Sequence, residues 1–256
     1  MTLGARAAII IEYGSMANGP ARYGMKGNND MASLESDLRA ELAQRGADQV
    51  YVVDISALPG EQRQGLPRAI LLVMALTPGF LRDISAGLPP GEHDEFVEKE
   101  HAADALADWL AGELARRGFR ALSQSEEANF QSGRFDGPSR SSALPHKTIA
   151  RLAGLGFIGK NDLLVTQEYG CALVMCTVLT DAPLVTQNSS PRDVECGECV
   201  ACVQVCPAQA ISGETWTESG GRDVLVDVWK CTCGLKCMLA CPWTVRYVGL
   251  ENGTCE

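Results

Sequence analysis

Eight of the eleven cysteines fall in two runs near the C-terminus, Cys196-x2-Cys199-x2-Cys202-x3-Cys206-Pro207 and Cys231-x-Cys233-x3-Cys237-x3-Cys241-Pro242. Thiolates at such spacing are the ligands of iron–sulfur cubanes. In the bacterial ferredoxin arrangement three closely spaced cysteines hold one cluster and the cysteine before proline ligates the other. Crossed ligation assigns Cys196, Cys199, Cys202 and Cys241 to one [4Fe-4S] cluster and Cys206, Cys231, Cys233 and Cys237 to a second. The second run departs from the ideal spacing. Structural zinc is a poorer fit, because it favours paired C-x2-C sets, often mixed with histidine, and none of the three histidines lies near the runs. Disulfides belong to exported scaffolds, and the apolar stretch Ala7 to Ile11 is too short for a signal peptide core.

The chain of 256 residues is 46% apolar and 21% charged, an ordinary globular composition with room for one large domain or two small ones. No apolar run is long enough to span a bilayer, and thiolate ligands suit a reducing compartment, so a soluble cytoplasmic protein without membrane association is expected. The formal net charge of −10 opposes generic binding to polyanions, which makes nucleic acid an unlikely partner and a small molecule the expected substrate. Arg134, Arg140, Lys147, Arg151 and Lys160 concentrate in one stretch, a pattern met more often on solvated surfaces than in binding sites.

The elements that must position this chemistry alternate in type. "RAAIIIEY" (6 to 13), "QVYVVDI" (49 to 55) and "RAILLVMAL" (68 to 76) read as strands, the last closed by Pro78-Gly79. Between the first two lies a helix with Asp30 as cap, Met31, Leu34, Leu38 and Leu42 on one face, and Gly46 as stop. A long amphipathic helix spans 93 to 117, with Phe96, Val97, Leu106, Trp109, Leu110 and Leu114 on its apolar side. A strand is expected near 119 to 122, a polar loop over 124 to 142, and a helix over 145 to 152 with Pro145 in its first turn. Turns at Gly154, Gly156 and Gly159 precede a strand, and 171 to 180 gives another. The expected fold is an α+β or α/β substrate-binding domain over 1 to 188, followed by a ferredoxin-like 2[4Fe-4S] module over 189 to 256.

"LPHKTIARLAGLGFIGKNDLLVTQEYG" (144 to 170), followed by "VLTDAPL" and by cysteine runs ending in "CPAQAI" and "CPW", resembles the epoxyqueuosine reductase family, which is related to the reductive dehalogenases. The similarity runs from about 144 to 243, and Gly-Phe-Ile-Gly-Lys (156 to 160) is its most specific element outside the cysteines. The resemblance implies an oxidoreductase whose N-terminal domain holds a cobalamin, base-off and without a protein histidine ligand, beside a cluster that reduces the cobalt. It further implies a reduced ferredoxin or flavodoxin as electron donor and an anaerobic setting. By that carry-over Ser142, Lys160 and Asn161 are candidate cofactor-binding residues and His146 and Lys147 candidate catalytic ones.

This chain also departs from the family pattern. Arg140 or Ser141 stands where the family has its proton-donating aspartate, and Asp136 is the nearest carboxylate. Longer relatives carry a tRNA-gripping helical extension, whereas this chain ends thirteen residues after Trp243. These departures and the acidic balance set the expectation of a substrate other than tRNA. Three alternatives remain beside this corrinoid enzyme: a cobalamin-independent reductase, a non-catalytic electron carrier or redox subunit, and a reductive dehalogenase, the last disfavoured by the lack of an export signal or membrane partner motif. Tyr13, Tyr23 and Tyr169 are possible phenolic donors, Cys171 and Cys176 are read as buried thiols on opposite strand faces, and Cys255 as an exposed one.

Overall fold

The computed structural model describes residues 28–88, 94–189 and 195–250, with side chains from residue 34 onward. The strand expected over 6 to 13, Tyr13, Tyr23, His93 and Cys255 lie outside these residues, as does the side chain of Met31.

Helix α1 (Asn28–Gln44) buries Leu34, Leu38 and Leu42, four residues apart and so on one face. Asp30 lies inside this helix and not at its cap. The helix is followed by Gly46 in the left-handed region (φ 100°), which glycine adopts without steric cost. Strands β1 (Gln49–Asp54) and β2 (Arg68–Ala75) pair antiparallel. Pro78, expected to close β2, instead opens helix α2 (Pro78–Ser85), where Thr77 caps the Phe80 amide and proline suits the first turn.

Helix α3 (Glu95–Arg116) is capped by Asp94 and buries Ala103, Leu106, Ala107, Leu110 and Leu114. Val97 is exposed rather than part of the apolar side. Strand β3 (Ala121–Ser123) has three residues. The expected polar loop after it is structured: helix α4 (Glu126–Gln131) and a hairpin of β4 (Phe135–Asp136) and β5 (Ser141–Ser142). Helix α5 (His146–Leu152) has Pro145 as its N-cap residue. The glycine-rich stretch forms a hairpin, β6 (Gly156–Ile158) and β7 (Leu164–Thr166), and β8 (Leu173–Thr180) follows. Short helices α6 (Ala201–Val205), α7 (Lys236–Leu239) and α8 (Pro242–Val248) carry the cysteine runs.

The main sheet has the order β1-β2-β8-β3, and every pairing in it is antiparallel. This mixed architecture is of the α+β kind, since a doubly wound α/β sheet would be mostly parallel. Period-two alternation splits the sheet into two apolar faces. Ile70, Leu72, Met74, Cys176 and Val178 pack against α1 and α3. Ala69, Leu71, Val73 and Leu179 pack against Ile149 and Ala150 of α5, and Cys202, Ile211, Leu225 and Val226 join the same core. A third cluster ties Leu76 and Leu81 to Phe157, Cys171, Met238, Cys241 and Val248. Cys171 and Cys176 accordingly lie in different apolar clusters.

Candidate active site

The site follows from a mismatch of strand lengths. Strand β8 has eight residues but β3 only three, and their pairing ends at Ser123 with Val178. One further bond, from the Gln124 amide to the Thr177 carbonyl at 2.9 Å, covers the next position. Beyond it β8 opens onto a cavity of about 820 Å³, lined by Leu173, Val174 and Met175 of that strand. One wall comes from α3 and α4, the other from α5 and the second cysteine run.

Cys206, Cys231, Cys233 and Cys237 all line this cavity. Cys196, Cys199, Cys202 and Cys241 line a second one of about 270 Å³. The division of thiols between the two cavities is thus the division that crossed ligation gives. Asn161 lines both cavities, so its side chain stands in the partition. It is buried, donates through Nδ2 to the Cys237 carbonyl at 3.4 Å and to Cys171 Sγ at 3.7 Å, and accepts from the Leu163 amide at 3.3 Å.

The donor chemistry fits a cationic cluster. Burial, together with the neighbouring sulfurs of Cys196, Cys237, Cys199 and Cys241, pushes the Cys202 thiol up to about 12. Burial likewise raises Cys196 and Cys237. Thiols crowded out of water, as Cys196, Cys202 and Cys237 are, resist ionisation until a metal replaces their protons. Cys241 runs the other way, to about 7, through a hydrogen bond from the Cys171 thiol and the amides of Trp243 and Thr244 at the start of α8, with burial opposing. Two left-handed residues, Cys233 (φ 52°) and Leu235 (φ 55°), shape the second run. Among the described residues no three His, Cys, Asp or Glu side chains converge on a point where one ion would be held.

The other candidate residues separate by position. His146 lines the larger cavity with Nδ1 2.9 Å from Thr177 Oγ1, and burial drives its pKa down to about 4, the charge of Asp104 opposing. Ser142 lines the same cavity. Lys147 does not: its ammonium donates to the Asp162 carbonyl at 3.0 Å and pairs with the Asp162 carboxylate, bracing the turn between β6 and β7. Lys160 is buried against the smaller cavity's loop, donating through Nζ to the Gly197 carbonyl at 2.8 Å, while its amide donates to Cys196 Sγ.

Asp136 accepts from the Ser139 amide at 3.1 Å and lies outside both cavities, a turn former as its Gly-Pro context suggests. Tyr169 packs edge-on against Tyr247, centroids 5.4 Å apart, also away from the cavities. Sequence reasoning missed the carboxylates that do face the larger cavity, Asp94, Glu100, Asp104 and Glu126. The signal was present in α3, where Val97, Glu100 and Asp104 recur at three and four residues along one flank of the apolar stripe.

Over 137 residues the chain is 31% identical to the epoxyqueuosine reductase of Lactococcus garvieae, covering 51% of this chain and 38% of that protein. Against the epoxyqueuosine reductase of Salmonella typhimurium it is 25% identical over 268 residues, 94% of this chain and 67% of that protein. The chain resembles the epoxyqueuosine reductases. Its matches span about two fifths of the length of most of these first relatives. No family model matches the chain. An epoxyqueuosine reductase solved with a tRNA-Tyr epoxyqueuosine-modified stem loop has a similar fold, with a TM-score of 0.51 at 14% identity over 84% of this chain and 66% of that one. So does the catabolic reductive dehalogenase NpRdhA, with a TM-score of 0.60 at 20% identity over 90% of this chain and 35% of that one.

The tRNA stem loop in the similar epoxyqueuosine reductase overturns two expectations, that nucleic acid is an unlikely partner and that the substrate is a small molecule. Net charge was the wrong quantity, because it sums the whole chain whereas recognition is local. Positive, stacking-capable groups persist on this acidic protein: Arg140 lies 4.1 Å over the exposed Trp229 ring and Arg151 3.9 Å over Trp216.

Proposed function

We propose that the chain is an iron–sulfur oxidoreductase of the epoxyqueuosine reductase type, acting in its larger cavity on a substrate of the kind its relatives are named for, epoxyqueuosine in tRNA. The observation that carries the reading is the pair of four-thiol cavities sharing Asn161 as their wall, one small and one opening into a larger chamber. In this reading Cys196, Cys199, Cys202 and Cys241 hold one [4Fe-4S] cluster, and Cys206, Cys231, Cys233 and Cys237 hold the other. When bound, the clusters supply single electrons at a potential tuned by hydrogen bonds to their sulfurs.

The chain's own residues supply the surroundings. Asn161 holds the carbonyl of Cys237 and so fixes the second run against the partition. Lys160 anchors the Cys196 loop and places a positive charge beside anionic sulfur. Thr177 orients His146, which stays neutral near pH 7 and keeps Nε2 as a hydrogen-bond partner for whatever occupies the cavity. Leu163, Leu173 and Met175 give an apolar floor that excludes water from the reacting groups.

A corrinoid in the larger cavity is compatible with these walls. Its macrocycle needs an apolar face, which Leu163 and Met175 offer. Ser142 and His146 lie beside the same space and would hold the group's periphery.

Anaerobic reconstitution tests the reading. About eight irons and eight sulfides per chain are expected, together with conversion of an epoxyqueuosine-bearing stem loop followed by mass spectrometry. Stoichiometric zinc without iron, or a loaded protein that leaves the stem loop unchanged, would sink it.

A further inference from the structure

The larger cavity has two chemically different sides. On the cysteine side the cations are Arg140, stacked on Trp229, and Lys236 at the start of α7. On the α3 side the polar lining consists of Asp94, Glu100, Asp104, Glu126, Gln124 and Asn129. Asp94 is occupied in capping α3, where it accepts from the Phe96 amide at 3.0 Å. Asp104 accepts from the Glu126 amide at 2.9 Å, which brings the carboxylates of α3 and α4 together. None of Glu100, Asp104 and Glu126 forms an ion pair among the described residues.

A second observation is independent of charge. Gln124 is 3% exposed, and its Nε2 is fixed by the Leu144 carbonyl at 3.0 Å. That bond sets the amide's orientation and leaves Oε1 buried with no hydrogen-bond partner. A buried acceptor left unmatched costs about 1–3 kcal/mol, so the position is built to receive a donor. The neighbouring Asn129 does not serve, because its Nδ2 is spent on the Gln124 main-chain carbonyl at 2.8 Å.

The charged groups on this side are thus all negative, and the amide nitrogens of Gln124 and Asn129 are committed to backbone carbonyls. A neutral ligand rich in acceptors, or a phosphate, would meet repulsion here. A group that carries both a positive charge and N–H donors would satisfy Gln124 and relieve the mutual repulsion of the carboxylates together.

We propose that the α3 side of the larger cavity, formed by Glu100, Asp104, Glu126 and Gln124, is a subsite for a protonated amine carried by the ligand. This rests on reading the cavity as the substrate site, and it adds the class of group that the substrate presents there. Asp104 and Gln124 grip the amine inside, while Glu100 and Glu126, both exposed, stand at the mouth and steer it in.

The test uses two probes of equal size and shape, benzylammonium and benzyl alcohol, titrated calorimetrically into the anaerobically loaded full chain. The ammonium is expected to bind about tenfold more tightly than the alcohol, and to lose that advantage when salt is raised from about 0.05 to about 0.5 M. The double variant Glu100→Gln/Glu126→Gln, at exposed positions where folding is not at issue, should lose most of the ammonium's advantage, Asp104 keeping the remainder, with iron content unchanged. Gln124→Met should weaken the ammonium further. Equal binding of the two probes by the unaltered protein, a preference undiminished in the double variant, or no binding of the ammonium would each overturn the proposal. Stem-loop turnover is measured separately, so a protein that converts the stem loop but ignores charge loses only this inference. One that prefers the ammonium but leaves the stem loop unchanged loses only the proposed activity.

Discussion

Single residues in this site are defined by what they are already bound to. His146 and Lys147 are adjacent in sequence, yet one lines the cavity and the other is committed to Asp162. That difference predicts different consequences of replacement. Lys147→Met should lower stability by leaving the Asp162 carboxylate buried without its cation, by about 3 kcal/mol, with the effect read in urea unfolding. His146 has a pH signature. Its folded pKa of about 4 lies below the ordinary 6.5, so the unfolded chain binds the proton first. Its contribution is complete above pH 6.5 and is lost as pH falls toward 4, about 2 kcal/mol of it between pH 7 and pH 5. His146→Gln should flatten that part of the stability profile of the metal-free chain, measured against the unaltered protein so that other titrating groups cancel.

At the scale of elements, glycine contacts separate packing from mere turn geometry. Gly170 (φ 59°) sits against the start of α8, where an added Cβ would come 2.3 Å from the Thr244 amide nitrogen. Gly46 (φ 100°) has nothing within 4 Å of the same position. Gly170→Ala should therefore cost more than about 3 kcal/mol and displace α8 with Cys241, whereas Gly46→Ala should cost about 1 kcal/mol. Thermal unfolding of the two variants side by side checks the contrast. The sequence was informative where one pattern sufficed: the leucines of α1, the long α3 and the β-branched run of β1 all form the expected type of element. It was less so where local and tertiary signals compete. Pro78 read as a terminator because a proline ends a strand as readily as it starts a helix, and Thr77 decides between them. The segment 124 to 142 looked like loop because its helix and hairpin are short and held by distant partners, such as Asp104 for the Glu126 amide. The acidic wall was hidden for a related reason. Glu100 and Asp104 look like a solvated helix face until the uncovered edge of β8 turns that face into the side of a cavity.

Over the whole molecule, the cysteine-bearing segment is not a pendant. Cys202, Ile211, Leu225 and Val226 belong to the same apolar core as Leu71, Val73 and Ile149. If the two thiol sets hold clusters as proposed, Cys202→Ala should leave about half the iron and retain the spectrum of the other cluster, because the sets line separate cavities. Loading both sites should raise the melting temperature of the full chain, since a ligand that binds only the folded state stabilises it by mass action. Circular dichroism of metal-free and reconstituted protein measures the difference. The shared core carries this beyond the test tube. A chain that fails to acquire iron and sulfide leaves crowded thiols inside the packing that supports its sheet, and spends more time open to proteases. The abundance of the protein, and not merely its activity, would then follow the cell's iron supply.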